Sequence, residues 1–291
     1  MRKLIPFIRS VLSESYTDSA ETDTVCKALC CELLGVSEYA YYLKEPVLLT
    51  PEMQEKLGRA LQRLQAGEPL QYVLGGAQFD GITLHVDRSV LIPRPETAEL
   101  ARQIGKEGFP GVEEPIIVDI GTGSGCIAIS LKRSLPHAKV FATDVSEAAL
   151  RTAARNAAEQ EVDIVFIRHD MLSEILPASV PPAHCLISNP PYVRQCERRF
   201  MEARVTDWEP PTALFVPDSD PLLFFRALAQ LGKTSSLLPG GIIVAEASDA
   251  FAHEVCTLFR LYGYVEVSLT PDLFGMPRYV RCRKSDNQVI R

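Results

Sequence analysis

Residues 116–131 read IIVDIGTGSGCIAISL and combine a strand pattern, a glycine-rich loop and a helix pattern in immediate succession. The apolar run at 116–118 is β-branched, which favours a buried strand. Glycines 121, 123 and 125 would let a ligand approach the backbone closely, beside the N-terminus of the following helix. The stretch predicts a ligand-binding loop in an α/β fold, and a simple tight turn is the alternative.

The glycine spacing disfavours a nicotinamide or flavin cofactor. The dinucleotide fingerprint would need its last glycine at position 126, where this chain has Cys126. A second apolar run, at 140–143, ends at Asp144, 25 positions after Asp119. An acidic residue at the tip of the second strand suits the two hydroxyls of a ribose. A plain turn would leave this acidic residue unexplained. We therefore expect Asp144 to bind a nucleoside.

Apolar segments alternate with helical patterns from residue 114 onward, as in a doubly wound α/β sheet. Seven strands are predicted, at residues 115–119, 139–143, 163–168, 184–188, 241–245, 265–269 and 278–283. Ligands of such sheets bind outside the carboxyl ends of the strands. Because Asp144, Asp170 and Asn189 all follow predicted strands, we expect them to meet the glycine loop in one crevice.

The sequence Asn189-Pro190-Pro191-Tyr192 follows the apolar run 185–188 and predicts a rigid corner at a strand end. Proline fixes its own φ and pushes the preceding residue into extended geometry, so acceptors at Asn189 and Pro190 would face outward. A planar NH2 group can donate one hydrogen to the Asn189 side-chain oxygen and the other to the Pro190 carbonyl, while Tyr192 stacks on its face. The corner suits an amide or an aminopurine; an ordinary strand-terminating turn is the alternative.

The N-terminal part of the chain has helical patterns and little strand signal. Its clearest helix starts at Thr50 as N-cap with Pro51 in the first position, and it stops near Gly67. Glycines and alternating apolar residues between 75 and 86 predict a hairpin. We expect a helical bundle domain at 1–70, a hairpin linker at 71–91 and the sheet domain at 92–291.

Composition excludes several classes of function. A net charge of −7 and an isoelectric point near 5.4 disfavour direct binding to DNA, which needs clustered basic residues. No apolar run reaches the length of a membrane span, and Arg9 interrupts the apolar N-terminus, so we expect a cytoplasmic protein. The eight cysteines and five histidines lack the spacing of metal ligands. We therefore expect buried free thiols and no metal.

Together the glycine loop, the ribose carboxylate and the Asn-Pro-Pro-Tyr corner resemble a class I S-adenosylmethionine-dependent methyltransferase that methylates amino groups. Over nearly the whole chain the sequence resembles the peptide chain release factor glutamine methyltransferase family. The matching segments are GEPLQYVLG at 67–75, Phe79, Gly81, Val86, VLIPRPET at 90–97, Glu209-Pro210, Ala213-Leu214, LPGG at 238–241, Glu246, Asp272-Leu273, Gly275 and Arg278. Two positions depart from the family: Ala98 replaces an acidic residue, and Val216-Pro217-Asp218-Ser219 replaces a glycine-rich turn.

The resemblance implies methyl transfer from S-adenosylmethionine to the glutamine side-chain nitrogen of a Gly-Gly-Gln motif in release factors. S-adenosylhomocysteine would be the product, and the helical domain would recognise the protein substrate. The implied cofactor-binding residues are Asp119, Gly121, Thr122, Gly123, Ser124, Gly125, Asp144, Asp170 and Asn189. The implied catalytic residues are Asn189, Pro190 and Tyr192, and the implied substrate contacts add Pro191 and Arg94.

Some alternatives stay open at this point. Asp119 either lies near the methionine end of the cofactor or braces the loop, and the segment around Arg94 either walls the substrate pocket, with the arginine held by a carboxylate, or is an inert linker. A similar corner serves adenine methylation in DNA on a flipped base. The acidic balance and the lack of a basic, aromatic segment oppose that function. A catalytically silent adaptor is a third interpretation, which the intact loop and corner disfavour.

Overall fold

The computed structural model describes residues 1–286. The chain forms two compact units, one made of Met1–Gly76 with Glu202–Trp208 and the other of Ala77–Met201 with the residues from Glu209 onward. The division expected at residues 70 and 91 stays a prediction.

The first unit is helical. Its helices before residue 76 are α1 (Leu4–Leu12), α2 (Ser19–Ala28), α3 (Glu38–Tyr42), α4 (Pro51–Gln65) and α5 (Leu70–Leu74), with a π-helical turn at Leu29–Leu33. Helix α4 begins as the sequence predicts, since Thr50 Oγ1 accepts from the Met53 amide at 3.2 Å. The amphipathic helices bury their apolar stripes in one core that includes Ile8, Leu29 and Leu64.

A hairpin of β1 (Gly76–Phe79) and β2 (Ile82–His85) follows α5, in the region where the sequence predicts one. The elements after it, in chain order, are α6 (Pro95–Glu107), β3 (Ile116–Ile120), α7 (Cys126–Ser134), β4 (Lys139–Asp144), α8 (Glu147–Glu159), β5 (Val165–Arg168), β6 (Ala183–Ser188), β7 (Val193–Arg194), α9 (Ala203–Thr206), α10 (Pro211–Leu214), β8 (Phe215–Val216), α11 (Leu223–Lys233), β9 (Leu237–Glu246), α12 (Ala252–Leu261), β10 (Val265–Pro271) and β11 (Pro277–Arg283). A short 3₁₀ helix covers Gln195–Phe200.

The seven predicted strands form one sheet in the order β10-β11-β9-β6-β3-β4-β5. Strands β5, β4, β3, β6 and β9 are parallel, and β11 runs antiparallel to β9 and β10. This confirms the predicted α/β sheet domain, and the first unit confirms the predicted helical N-terminal region. The largest boundary error is at β9, because Pro239-Gly240-Gly241 has the composition of a turn although the strand already begins at Leu237.

Both faces of the sheet are covered. Along β3, Ile117 belongs to one apolar core and Val118 to the other, and both are fully buried. Such all-apolar central strands are typical of a parallel sheet packed on both sides. The covered faces leave the carboxyl edge of β3, β4, β5 and β6 as the place where loops can form a site.

Three further expectations concern surface properties. In the part of the chain that the structure describes, no helix is long and apolar enough to cross a membrane. All eight thiols are free, but Cys196 is exposed and Cys31 half-buried, so the expectation of burial is wrong for these two. Within the departure at 216–219, Val216 pairs with Arg194, and Asp218 Oδ1 accepts from the Cys196 amide at 2.9 Å.

Candidate active site

A cavity of about 520 Å³ lies at the carboxyl edge of the sheet. Nine residues predicted from the sequence line it: Arg94, Gly121, Thr122, Gly123, Ser124, Asp144, Asp170, Asn189 and Pro191. Its volume falls within the range of about 300–1,000 Å³ that is usual for small-molecule sites. The structure therefore brings the glycine loop and the Asn-Pro-Pro-Tyr corner to one crevice.

The glycine loop presents open backbone to this cavity. Gly121 and Gly123 adopt φ angles of +75° and +55°, and a Cβ added to either would meet no atom within 4 Å. Their conformation favours glycine, and the missing side chains leave space for a ligand. The amides of Gly121 and Thr122 both donate to the Thr143 carbonyl at 2.9 Å, which ties the loop to the end of β4.

Asp144 connects the loop to the next helix. Its Oδ2 accepts from the Gly123 amide and its Oδ1 from the Ser146 amide, both at 2.9 Å. Burial raises the pKa of this carboxyl, while the two backbone hydrogen bonds act in the opposite direction. Each carboxylate oxygen has a second lone pair, so Asp144 can hold the loop and still accept from a diol in the cavity.

Asp119 and Gly125 lie behind the wall of the cavity. Asp119 is fully buried, and its Oδ2 accepts from Thr122 Oγ1 at 2.6 Å and from the Ala128 amide at 3.3 Å. Burial raises the pKa of Asp119 to about 7. A Cβ on Gly125 would lie 3.1 Å from the Ala153 Cβ, so this glycine allows α7 and α8 to pack closely. The two contacts of Asp119 brace the loop, and a position near the methionine end of the cofactor stays a prediction.

Asn156 supports the loop from α8 although sequence reasoning missed it. Its side chain is buried, and Nδ2 donates to the carbonyls of Ser124 and His85, both at 2.9 Å. Its Oδ1 accepts from the His85 amide at 2.7 Å. One asparagine in an amphipathic helix carries no local signal of such a role, since its partners lie 32 and 71 residues away.

The Asn-Pro-Pro-Tyr corner is held by a chain of hydrogen bonds. Asn189 Nδ2 donates to Thr97 Oγ1 at 3.0 Å, and Thr97 Oγ1 donates to Glu246 Oε2 at 2.7 Å. Tyr192 Oη donates to Glu246 Oε1 at 3.2 Å. Pro190 is buried and, like Tyr192, does not line the cavity. Stacking by Tyr192 and acceptance by the Pro190 carbonyl therefore stay predictions.

Arg94 lies on the cavity wall with its guanidinium fixed. Its Nη2 donates to Glu209 Oε1 at 2.5 Å, and Glu209 Oε2 accepts from the Ile92 amide at 3.0 Å. Glu209 is buried. The carboxylate expected beside Arg94 is thus that of Glu209, which the sequence analysis had noted only as part of a family match.

The two halves of the site meet at neighbouring strand ends. Asp119 on β3 is paired in register with Ile187 on β6. One residue further along, buried Ser188 donates from Oγ to the Ile120 carbonyl at 2.6 Å. This bond joins the residue before the glycine loop to the residue before Asn189.

His169 is a cavity residue that the sequence analysis did not select. It follows β5, and its buried Nε2 has no hydrogen-bond partner within residues 1–286. Burial lowers the pKa of its imidazole, which favours the neutral ring at pH 7. Within the same range, no three His, Cys, Asp or Glu side chains are grouped so as to hold a metal ion.

The strand order, the glycine loop after β3 and the acidic last residue of β4 define a class I methyltransferase, a class that uses S-adenosylmethionine. Two family models match, "Methyltransferase small domain" at residues 100–205 and "PrmC N-terminal domain" at residues 4–75. A solved methyltransferase structure from Pyrococcus furiosus is 16% identical, covers 81% of this chain and 100% of its own, and has a TM-score of 0.50, which shows the fold alone.

The sequence relatives are more specific. The release factor glutamine methyltransferase of Bacteroides thetaiotaomicron is 41% identical over 98% of this chain and 100% of its own length. The protein of the same name from Flavobacterium psychrophilum is 42% identical over 76% of this chain and 77% of its own. The chain belongs to the release factor glutamine methyltransferase family. This confirms the resemblance described from the sequence.

The residues present fit S-adenosylmethionine. The open backbone at Gly121 and Gly123 leaves room that a Cβ would fill, and Asp144 offers carboxylate lone pairs beside it. Asp170, exposed at the end of β5, accepts from the Leu172 amide through Oδ1 at 2.9 Å, which leaves Oδ2 for an amino group. These carboxylate acceptors match the hydroxyls and the amino group of an adenine nucleoside.

Proposed function

We propose that the protein transfers a methyl group from S-adenosylmethionine to the side-chain amide nitrogen of the glutamine in the Gly-Gly-Gln motif of peptide chain release factors. The proposal includes a cytoplasmic location and a role in translation termination. The observation that carries it is the orientation of Asn189, whose amide oxygen is directed away from Thr97 and is available to an NH2 group. The names of the relatives support glutamine as the acceptor.

Cofactor binding is assigned to the loop and the strand ends around it. Asp144 would accept from the ribose hydroxyls and Asp170 from the adenine amino group, with the backbone of residues 121–124 against the rest of the molecule. Bound S-adenosylmethionine supplies a methyl group on a positively charged sulfur, which is a good leaving group. Asp119 and Gly125 would act through the loop, as their buried positions indicate.

The acceptor amide needs help from the protein because its nitrogen lone pair is delocalised into the carbonyl. Asn189 Oδ1 and the Pro190 carbonyl would accept the two amide hydrogens and orient the nitrogen towards the methyl group. These hydrogen bonds strengthen as the nitrogen gains positive charge, so they stabilise the transition state more than the bound substrate. The sulfur would keep the electron pair of the broken bond, and the methylated nitrogen would release one of its two hydrogens to solvent as a proton. Tyr192 would position the acceptor, and Asn189, as the residue between both ligands, would also border the cofactor.

We assign recognition of the release factor to the cavity wall around the acceptor and to the helical first unit. Pro191 and Arg94 lie on the cavity wall, and the Arg94 guanidinium is held by Glu209. A guanidinium fixed in this way can border a substrate backbone without losing further side-chain freedom. The helical first unit would dock the remainder of the release factor, as expected from the sequence.

The test is methylation of purified acceptors with labelled S-adenosylmethionine. We expect label in a bacterial release factor and none in the same factor when the motif glutamine is replaced by alanine. Duplex DNA with exposed adenines serves as the other acceptor, since adenine offers a similar NH2 group. Label in the alanine form, or in DNA alone, would exclude the proposed function.

A further inference from the structure

We infer that Glu246 and Thr97 are positioning residues that determine which end of the Asn189 amide faces the acceptor, and so make the site specific for an NH2 group. The inference rests on the proposed function and goes beyond it, because it names the origin of the discrimination between glutamine and glutamate. Neither residue was among the site residues predicted from the sequence.

The hydrogen-bond directions follow from the chemistry of three groups. An ionised carboxylate has no proton to donate, so Glu246 can only accept. Thr97 has one hydroxyl proton, which the 2.7 Å bond to Glu246 uses. The 3.0 Å contact between Thr97 and Asn189 therefore requires a donor on Asn189, and only Nδ2 can supply it. The Asn189 Oδ1 atom must then point away from Thr97.

The relay is built into rigid parts of the second unit. Glu246 is the last residue of β9 and is 2% exposed, and Thr97 lies in the first turn of α6 and is 3% exposed. The second oxygen of Glu246 accepts from Tyr192 at 3.2 Å, which leaves the carboxylate little freedom to rotate. Burial of a charged carboxylate without hydrogen-bond partners would destabilise the fold. The bonds from Thr97 and Tyr192 offset this cost for Glu246.

The orientation decides what the site can accept. With Oδ1 presented, Asn189 accepts a hydrogen from the glutamine NH2 group. With the amide turned over, its own NH2 would face the substrate NH2, and two donors cannot bond each other. The reversed orientation would instead suit a glutamate carboxylate. Fixing the amide thus supports glutamine binding and rejects the corresponding acid.

Protonation of Glu246 would remove the constraint. Burial raises the pKa of Glu246, and the bonds from Thr97 and Tyr192 oppose that shift. The other charged or titratable groups around it are Glu96, Arg278, Tyr279 and Cys126. A protonated Glu246 could donate to Thr97, which could then donate to Asn189 and allow its amide to reverse. Turnover with saturating cofactor should therefore fall on the acid side as Glu246 becomes protonated.

Substitutions at Thr97 test the relay with the full-length enzyme and a bacterial release factor. Thr97→Val removes the hydroxyl and should lower turnover about 10-fold, the upper range for one neutral hydrogen bond. It should leave the Kd for S-adenosylmethionine unchanged. Thr97→Ser restores the hydroxyl and should recover most of the loss. Thr234→Val, which removes a hydroxyl bonded to the Leu231 carbonyl at 2.6 Å, is the matched control.

Discrimination is measured by inhibition with a release factor that carries Gly-Gly-Glu. This form should inhibit the wild-type enzyme weakly. In Thr97→Val, the affinity for the Gly-Gly-Glu form should rise relative to the affinity for the Gly-Gly-Gln form. Glu246→Gln should lose the acid limb of the pH profile. If Thr97→Val fails to fold, Thr97→Ala and the Glu246→Gln profile provide the test.

The outcomes separate this inference from the proposed function. Wild-type turnover and discrimination in Thr97→Val, or an unchanged acid limb in Glu246→Gln, would overturn the relay. Failure of the wild-type enzyme to methylate the Gly-Gly-Gln form would instead overturn the proposed function.

Discussion

Replacement of Asn189 by alanine tests the proposed acceptor site most directly. The change removes Oδ1, the acceptor for the substrate amide, and the 3.0 Å bond from Nδ2 to Thr97. Loss of one preorganised hydrogen bond to a group that gains charge in the transition state costs about 3–4 kcal/mol, or roughly 10²–10³-fold in turnover. Because Asn189 accepts most strongly in the transition state, the effect should appear mainly in kcat.

The effect on folding should be small. Thr97 keeps its own donor bond to Glu246, so the substitution leaves no buried hydroxyl proton without an acceptor. The lost bond is between neutral groups and contributes about 1 kcal/mol to stability. For a chain of this size that corresponds to a fall in Tm of about 2 °C. Activity and stability are thus expected to change by very different amounts.

The assay is single-turnover methylation of a release factor at saturating S-adenosylmethionine, with cofactor affinity measured by calorimetry. Thr97→Val is the matched control, because it breaks the same internal bond and keeps Oδ1. We expect Asn189→Ala to be slower than Thr97→Val by about 10-fold or more. Equal rates for both variants would mean that Asn189 acts only by holding the corner. A wild-type rate for Asn189→Ala would place the acceptor elsewhere.

Three further predictions concern the cofactor half of the site. Asp144→Ala should weaken S-adenosylmethionine binding about 10- to 100-fold in calorimetry, the range for a charged acceptor. Glu147→Ala removes the same charge from the first turn of α8, three residues further along the chain, and should have little effect. An unchanged affinity in Asp144→Ala would exclude it from the cofactor site. Gly123→Val should abolish cofactor binding, because φ is +55° and the side chain would enter the cavity. Gly111→Val is the control, since it carries similar backbone strain at φ +81° but lies outside the cavity wall. Equal effects of the two substitutions on cofactor binding would refute the steric argument. Burial raises the pKa of Asp119 from its ordinary value of 3.8 to about 7, so the folded state holds a proton that the unfolded state has lost between these two pH values. The unfolding free energy should therefore fall as pH rises from about 4 to 7, and Asp119→Asn should flatten that fall. An unchanged slope in urea denaturation over this range would contradict the raised pKa.

The sequence predicted those parts of the site that are encoded locally. The glycine loop and the Asn-Pro-Pro-Tyr corner are each one continuous stretch of sequence, and Asp144 follows a recognisable strand pattern. Each could therefore be placed at a strand end. The supporting residues lie far away in the chain. Thr97 is 92 residues from Asn189 and 149 from Glu246, and no local pattern relates them. Glu246 matched the family, but its role depends on β9 lying beside β6 in the sheet.

The sequence also did not determine which residues of a motif face the cavity. Gly125 belongs to the same motif as Gly121 and Gly123, but only the structure shows that it packs closely against Ala153. Tyr192 is similar, since the sequence predicted a ring that stacks on the acceptor but not the bond from its hydroxyl to Glu246. In both cases the sequence gives the backbone path but not the direction of the Cβ or the side chain, which depends on the neighbouring elements.

The precision of the site follows from the sheet rather than from the loops. The two half-sites begin at the ends of β3 and β6, which are paired in register at Asp119 and Ile187. The 2.6 Å bond from Ser188 to the Ile120 carbonyl fixes the last residues of both strands to each other. A shift of about 1 Å between methyl donor and acceptor is enough to cost roughly 10²-fold in rate. Strand pairing therefore sets the distance, while Asp119 and Glu246 fix only the orientation of the groups that each half presents.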